Sequence, residues 1–268
     1  MYNRVVMNLL WAVILGGVQG LTEFFPVSST AHLVLFPWMF KFSDPGLSFD
    51  IALHTGTFLA ILFALKNDWI SLAKSIFDKK MTFEKKLIGL LLLTSIPGAI
   101  FGYLLEDKAG TVFREPMIIA GTLVFFGVVL WGVDKMIKKQ EKIEKMNASS
   151  AFLVGISQAI AIIPGVSRSG ATIAAGRALG FSREAAVKYS FMAALPIIFG
   201  ATVFGLRNVN VAEIISTNWV LGFVASLIFS FFAIKFLLYY VKKYDFSIFL
   251  YYRIALAFIV ILLIFFKG

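Results

Sequence analysis

The sequence predicts an all-α integral membrane protein: six transmembrane helices plus two re-entrant helical hairpins in an inverted-topology repeat. Three observations predict it. Of the 268 residues, 59% are hydrophobic and mean hydropathy is +0.87, whereas soluble globular chains sit near half apolar. Uncharged runs long enough to cross a bilayer recur along the chain, with lysines gathered between them. A polar cluster at a helix break also occurs twice. The first copy is Gln19-Gly-Leu-Thr-Glu23-Phe-Phe-Pro26-Val-Ser28-Ser29-Thr30-Ala-His32. The second is Gln158, then Pro164-Gly165-Val-Ser167-Arg168-Ser169-Gly170-Ala-Thr172.

Composition removes some classes of function. No cysteine is present, so disulfides and thiolate metal sites are excluded. The formal charge of +10 would suit nucleic acid, but these lysines lie between apolar runs, as membrane topology places them. Nucleic acid is therefore not expected as a partner.

A crossing needs about 20 apolar residues. In chain order the spans fall at 51–65, with Asp50 at its mouth, then 87–105, 116–133, 189–206, 217–234 and 247–266. The last is interrupted only by Arg253. Two more runs, 5–22 and 146–167, look like spans by hydropathy alone. Arg4 before the first mimics a signal peptide, but no small-residue cleavage site follows, so the segment is expected in the mature protein.

Charge decides the status of those two runs. Segment 66–86 carries six lysines and 135–145 carries five, whereas the region around Gly110 holds only Lys108 and Arg114. Two spans separate the lysine-rich segments, so both are expected in the cytoplasm. If 146–167 crossed fully, Lys235, Lys242 and Lys243 would fall outside. A dip that returns through 169–179 keeps them inside. By the same logic 5–22 enters from outside and returns through 30–40, leaving both termini outside. Asn147-Ala-Ser149 matches a glycosylation sequon but is inert on the cytoplasmic side. The chain is then one membrane domain of two repeats, 1–138 and 139–268, each a hairpin plus three spans. An odd number of spans turns the second copy upside down, and the two breaks are expected to meet near the midplane.

The breaks carry the chemistry. Ser28, Ser29 and Thr30, like Ser167 and Ser169, are good N-caps for the short helices that follow. Helix N-termini offer free N–H groups and partial positive charge. Two such ends with Arg168 between them form an anion site, and the arginine fork suits phosphate. The alternative is an Arg168–Glu23 pair that serves structure alone. Gln19 and Glu23 share a helical face. Beside a phosphate site Glu23 can hold Mg²⁺ or Ca²⁺, act as base or orient His32; a buried hydrogen-bonding pair is the plainer reading. His32, one of two histidines, can be nucleophile or general acid/base. For His54 a structural pair with Asp50 is favoured over catalysis. Arg177, Arg183 and Glu184 are expected to end one short helix and cap the next.

The attacking group stays open among His32, Ser28 or Ser29 activated by His32, and a water activated by Glu23 and a metal. His32 is favoured as nucleophile or proton carrier, because serines at an N-cap are held by backbone amides.

These two motifs closely resemble the signature of the bacterial undecaprenyl-diphosphate phosphatases, the bacitracin-resistance phosphatases. That family has Glu or Gln, three residues, then Glu, a Pro-x-Ser-Ser-Thr-x-His element, and later Pro-Gly-x-Ser-Arg-Ser-Gly-x-Thr. Gly176 to Glu184 also looks like the family's following segment, so the resemblance spans essentially the whole chain. It implies hydrolysis of undecaprenyl diphosphate to the monophosphate, recycling the carrier lipid for cell-wall glycans, with stimulation by Mg²⁺ or Ca²⁺. It further implies a multi-pass cell-membrane protein whose site opens outward. Carried over by motif position, Glu23 and His32 would be essential and Arg168 would clamp the diphosphate. Ser28, Ser29, Ser167 and Thr172 would line the site, with Thr30, Ser169 and Gln19 beside them as substrate contacts. Gln19 stands where many members have Glu, which removes one anionic metal ligand. The expected partners are the isoprenoid diphosphate and membrane lipids, and a homodimer is compatible with the pattern.

Two rival functions are weighed. The unrelated lipid phosphatases with a Pro-Ser-x-x-His motif need a histidine after their Ser-Arg element, and here both histidines precede Ser167-Arg168. A carrier-lipid or phosphate transporter fits the repeat, but it needs only to hold phosphate, whereas His32 beside Glu23 supplies proton transfer.

Overall fold

The computed structural model describes residues 9–78, 80–105, 112–207 and 209–267. Arg4, residues 5–8 of the first apolar run, Lys108 and Gly110 lie outside them. Among the described residues the chain is α-helical, with a single isolated bridge between Glu141 and Phe181.

Six helices are long and apolar enough to cross a membrane: α3 (Leu47–Ala64), α5 (Thr82–Leu104), α6 (Pro116–Met136), α9 (Arg183–Leu206), α11 (Thr217–Tyr240) and α12 (Ser247–Lys267). These are the six expected spans. Several run past the expected ends, because a charge stops an apolar run but not a helix. Glu84 and Lys85 lie in the first turn of α5, and Lys235 lies inside α11. The lysine-rich segment after α3 holds a further helix, α4 (Lys66–Ser75).

The other four main helices come as two pairs. α1 (Leu9–Phe24) and α2 (Ser29–Phe40) flank Pro26; α7 (Ala148–Ile160) and α8 (Arg168–Ala178) flank Pro164. Each first arm stops before its proline, since the residue before proline is pushed out of helical geometry and proline donates no N–H. A short helix, α10 (Val211–Ile214), precedes α11.

Small residues bring the arms close to their neighbours. A Cβ on Gly16 of α1 would lie 2.5 Å from the Gly222 carbonyl of α11, and one on Gly155 of α7 would lie 2.6 Å from the Thr94 carbonyl of α5. The packing is paired throughout: α1 on α11 and α7 on α5, α3 on α11 and α9 on α5, with α3 against α9 and α6 against α12.

Arg177 and Arg183 do more than mark helix ends. The N-cap of α9 is Ser182, whose Oγ accepts from the Ala185 amide. The Arg177 and Arg183 guanidiniums both donate to Asp134 Oδ1 at 2.9 Å. Arg177 also donates to the carbonyls of Lys139, Ile137 and Phe181 and is fully buried. This knot ties α6, α8 and α9 at one end of the bundle. Each of its charges is satisfied, which makes it a structural element.

Candidate active site

The two breaks have the same local form. Ser28 and Ser167 sit in the left-handed region at φ 74° and 72°, a conformation that costs a non-glycine residue about 1–3 kcal/mol. Each caps the next helix: Ser28 Oγ accepts from the Ala31 amide and Ser167 Oγ from the Gly170 amide. Ser29, Thr30 and Ser169, also expected as caps, are therefore free for other partners.

The two tips touch. The Gly165 amide donates to Ser28 Oγ at 3.0 Å, and Ser169 Oγ donates to the Phe25 carbonyl at 3.1 Å. Backbone carbonyls freed at the breaks are met by side chains from the long helices, as a water-free interior requires. Arg253 Nε donates to the Pro26 carbonyl at 2.6 Å, and its other nitrogens reach Gly165, Val166 and Leu123 carbonyls. Thr122 Oγ1 donates to the Pro164 carbonyl at 2.7 Å. Gly165 is required here: at φ +93° a Cβ would lie 2.0 Å from Thr122 Oγ1.

Beside the tips lies a cleft of about 150 Å³, whose polar lining is Thr22, Glu23, Ser29, Thr30, His54, Ser167 and Arg168. Ile197, Ile198 and Ala201 of α9 form an apolar wall. Glu23 is the hub. Its Oε1 accepts from Arg168 Nη2 at 2.9 Å across the two tips. Its Oε2 accepts from Ser29 Oγ at 2.7 Å and from Gln19 Nε2 at 3.1 Å. Arg168 Nη1 and Gln19 Oε1 are buried and have no partner among the described residues. A serine hydroxyl held on a carboxylate, next to an arginine with a free donor, can transfer a proton and grip an anion in one place.

Of the remaining expected residues, Thr30 and Ser167 line this cleft and Ser28, His32, Ser169 and Thr172 do not. Ser28 Oγ accepts two amide protons and is 3.2 Å from Thr30 Oγ1. Ser167 and Ser169 hydroxyls are 3.1 Å apart. Thr172 Oγ1 donates to the Arg168 carbonyl and meets Ser190 Oγ at 2.6 Å on the α9 side. His32 is buried, with Nδ1 on the Ser28 carbonyl at 2.7 Å and Nε2 on Tyr252 Oη at 2.6 Å. Both ring nitrogens are thus engaged away from Glu23, so Glu23 does not orient His32.

Three contributors are not assigned to the site by the sequence. His54 does not hydrogen-bond Asp50; its Nδ1 accepts from Gln19 Nε2 at 3.3 Å and the residue lines the cleft. Arg253 was visible as one charge in an apolar run, a signal of function or buried structure in a membrane helix. Tyr252 gave no signal, because a tyrosine in such a run normally sits at a membrane interface. A larger cavity of about 470 Å³ lies between Arg183, Tyr240, Tyr244 and Tyr251. One of its cations, the partly exposed Arg183, is already held by Asp134.

Among the described residues no three His, Asp or Glu side chains cluster as a metal site. Glu23 and the orphaned Gln19 Oε1 could give a divalent cation two oxygens. That fits an ion completed by substrate phosphate oxygens, as Mg²⁺ sites commonly are.

The model of the family "Bacitracin resistance protein BacA" matches residues 12–259. Among curated proteins, an undecaprenyl-diphosphatase of Moorella thermoacetica is 43% identical over 255 residues, covering 95% of this chain and 97% of that protein. One from Pelotomaculum thermopropionicum is 42% identical, covering 96% and 97% of the two chains. One from Elusimicrobium minutum is 44% identical, covering 96% and 98%.

Proposed function

We propose, from the premise that the chain belongs to the bacitracin resistance protein BacA family, that it hydrolyses undecaprenyl diphosphate to the monophosphate and phosphate. This would recycle the carrier lipid of cell-wall glycan synthesis and underlie bacitracin resistance. One observation carries the reading: Ser29 Oγ lies 2.7 Å from Glu23, and Arg168 of the other tip reaches the same carboxylate.

In the mechanism, the terminal phosphate enters the cleft and is held by Arg168 Nη1, Thr30 and the positive N-terminus of α2. Ser29 Oγ attacks the terminal phosphorus while its proton passes to Glu23. The bond to the bridging oxygen breaks, and the lipid monophosphate leaves with that electron pair. Glu23 gives that proton to the departing monophosphate, then takes one from the water that attacks the phosphoserine and returns it to Ser29 Oγ as phosphate departs. His32, one turn past Ser29, keeps from its place in the motif the role of second proton carrier, although its ring faces Tyr252 rather than Glu23. The geometry thus favours Ser29 over His32 as nucleophile, because the serine already has its base. Glu23 and Gln19 would hold Mg²⁺ or Ca²⁺, which would neutralise charge on the diphosphate.

The finer architecture belongs to the same proposal. α1–α2 and α7–α8 are re-entrant hairpins, and residues 1–138 and 139–268 are inverted repeats. Support comes from the matched caps, the matched close approaches of Gly16 and Gly155, and main helix pairs that map onto one another when the halves are exchanged. The lysine distribution supports a cytoplasmic position for 66–86 and 135–145, and an outward-opening cleft belongs to the same proposal. Gln140→Cys in this cysteine-free chain should resist an impermeant thiol reagent in intact cells; labelling there would refute the arrangement.

The activity test is phosphate release by purified protein from farnesyl or longer diphosphates, with Mg²⁺ or Ca²⁺ and with EDTA. Release that EDTA suppresses supports the reading. Release no greater than that of Glu23→Ala overturns it.

A further inference from the structure

A backbone carbonyl can only accept a hydrogen bond, so the 2.7 Å approach of His32 Nδ1 to the Ser28 carbonyl places a proton on Nδ1. The neutral ring then presents Nε2 as an acceptor. Its partner, 2.6 Å away, is the hydroxyl of Tyr252 on α12, so that hydroxyl donates. The rings are nearly parallel, 13° apart, with centroids separated by 5.7 Å. His32 is 1% exposed, whereas Tyr252 is 45% exposed. The tyrosine therefore stands between the outward-facing nitrogen and the surroundings. The next residue, Arg253, anchors the same helix to both tips through the Pro26 and Gly165 carbonyls. Its grip fixes the height of Tyr252 relative to α2.

We propose that Tyr252 is a positioning residue of the phosphatase site, acting through His32. Its hydroxyl holds the imidazole in the Nδ1–H form, with the Nε2 lone pair turned outward and kept from other partners until substrate is bound. In metal and catalytic sites alike, the bond made by one ring nitrogen sets what the other can do. Here both ends of the ring are set, one by the Ser28 carbonyl and the other by the last helix. The inference rests on the reading that His32 transfers protons in this site.

The chain has two histidines, so ¹⁵N-histidine labelling in detergent gives two rings, and His54→Asn assigns them. In the wild type, His32 should show a protonated Nδ1 and an unprotonated, hydrogen-bonded Nε2. Tyr252→Phe keeps the ring and removes the donor. It should shift the His32 Nε2 resonance and populate the other tautomer. kcat should fall about threefold to tenfold, the loss expected for one hydrogen bond, with KM unchanged and the pH profile displaced. Adding Tyr252→Phe to His32→Ala should cost nothing further. A hydroxyl that only stabilised the fold would lower thermal stability without moving the tautomer. An unchanged His32 spectrum in Tyr252→Phe, or a loss confined to KM, overturns the proposal. The spectrum is read without turnover, so a wild-type chain that releases no phosphate overturns the phosphatase reading alone.

Discussion

Ser28 and Ser167 hold nearly the same backbone, and each caps its helix on the amide three residues on. The residues that follow differ. Ser29 at the first tip is matched in position by Arg168 at the second, and His32 by Ala171. Glu23 has its counterpart in Ile162. The supports differ as well: the Pro26 carbonyl is met by Arg253 and the Pro164 carbonyl by Thr122, each the seventh residue of its helix. Two tips of like local backbone thus carry two chemistries. One tip carries groups that move protons and the other carries the cation that holds charge. The site exists only where they touch, so neither half is expected to work alone.

The largest effects should come from the first tip. Glu23→Gln keeps the shape but removes both the base and the counter-charge of Arg168. Removing a general base typically costs about 10²–10⁴-fold, and kcat for phosphate release should fall that far. Ser29→Ala should fall comparably while still binding substrate. Near-normal turnover in either variant would erase the division between the tips.

The second tip should show a smaller loss of a different kind. Arg168→Lys keeps charge but loses the fork. A charged hydrogen bond is worth about 1.5–3 kcal/mol, so kcat/KM should drop at least about tenfold. Full activity in Arg168→Lys would mean that a point charge suffices.

The caps should behave alike in kind and differ in size. Ser167→Ala should cost about 1 kcal/mol of stability, as N-cap losses do. Ser28→Ala should cost more, because Gly165 also loses its acceptor. Both should keep measurable turnover, and thermal unfolding in detergent ranks them. The reverse order would break the account of how the tips are joined.

The smallest effect is expected from Thr122→Val. It removes one hydrogen bond to the Pro164 carbonyl, worth about 0.5–1.5 kcal/mol. A small drop in unfolding temperature with kcat retained is the expected outcome.

Much of this was legible in the sequence, for identifiable reasons. The six spans are long apolar runs, and hydropathy reads them directly. The breaks are prolines followed by capping serines, both local rules. Glu23 and Arg168 stood out as charges beside those breaks. What was hidden depends on tertiary contact. His54 looked like a partner for Asp50 because both lie on one helix face, yet Gln19 of another helix takes it. His32 stands four residues from Ser28, and its ring turns to α12, which no spacing rule reveals. The knot of Arg177, Asp134 and Arg183 joins residues far apart in the chain. Only the charge of Arg253 in an apolar run hinted that the last helix reaches the tips.

Identifying the atom that first bonds to phosphorus tests the division of labour most directly. Farnesyl diphosphate labelled with ³²P in its terminal phosphate can be turned over, acid-quenched at short times and the protein digested. The account predicts an acid-stable label on the peptide bearing Ser29, absent in Ser29→Ala. An acid-labile label on His32, or turnover that leaves no label on the chain at any quench time, would contradict it.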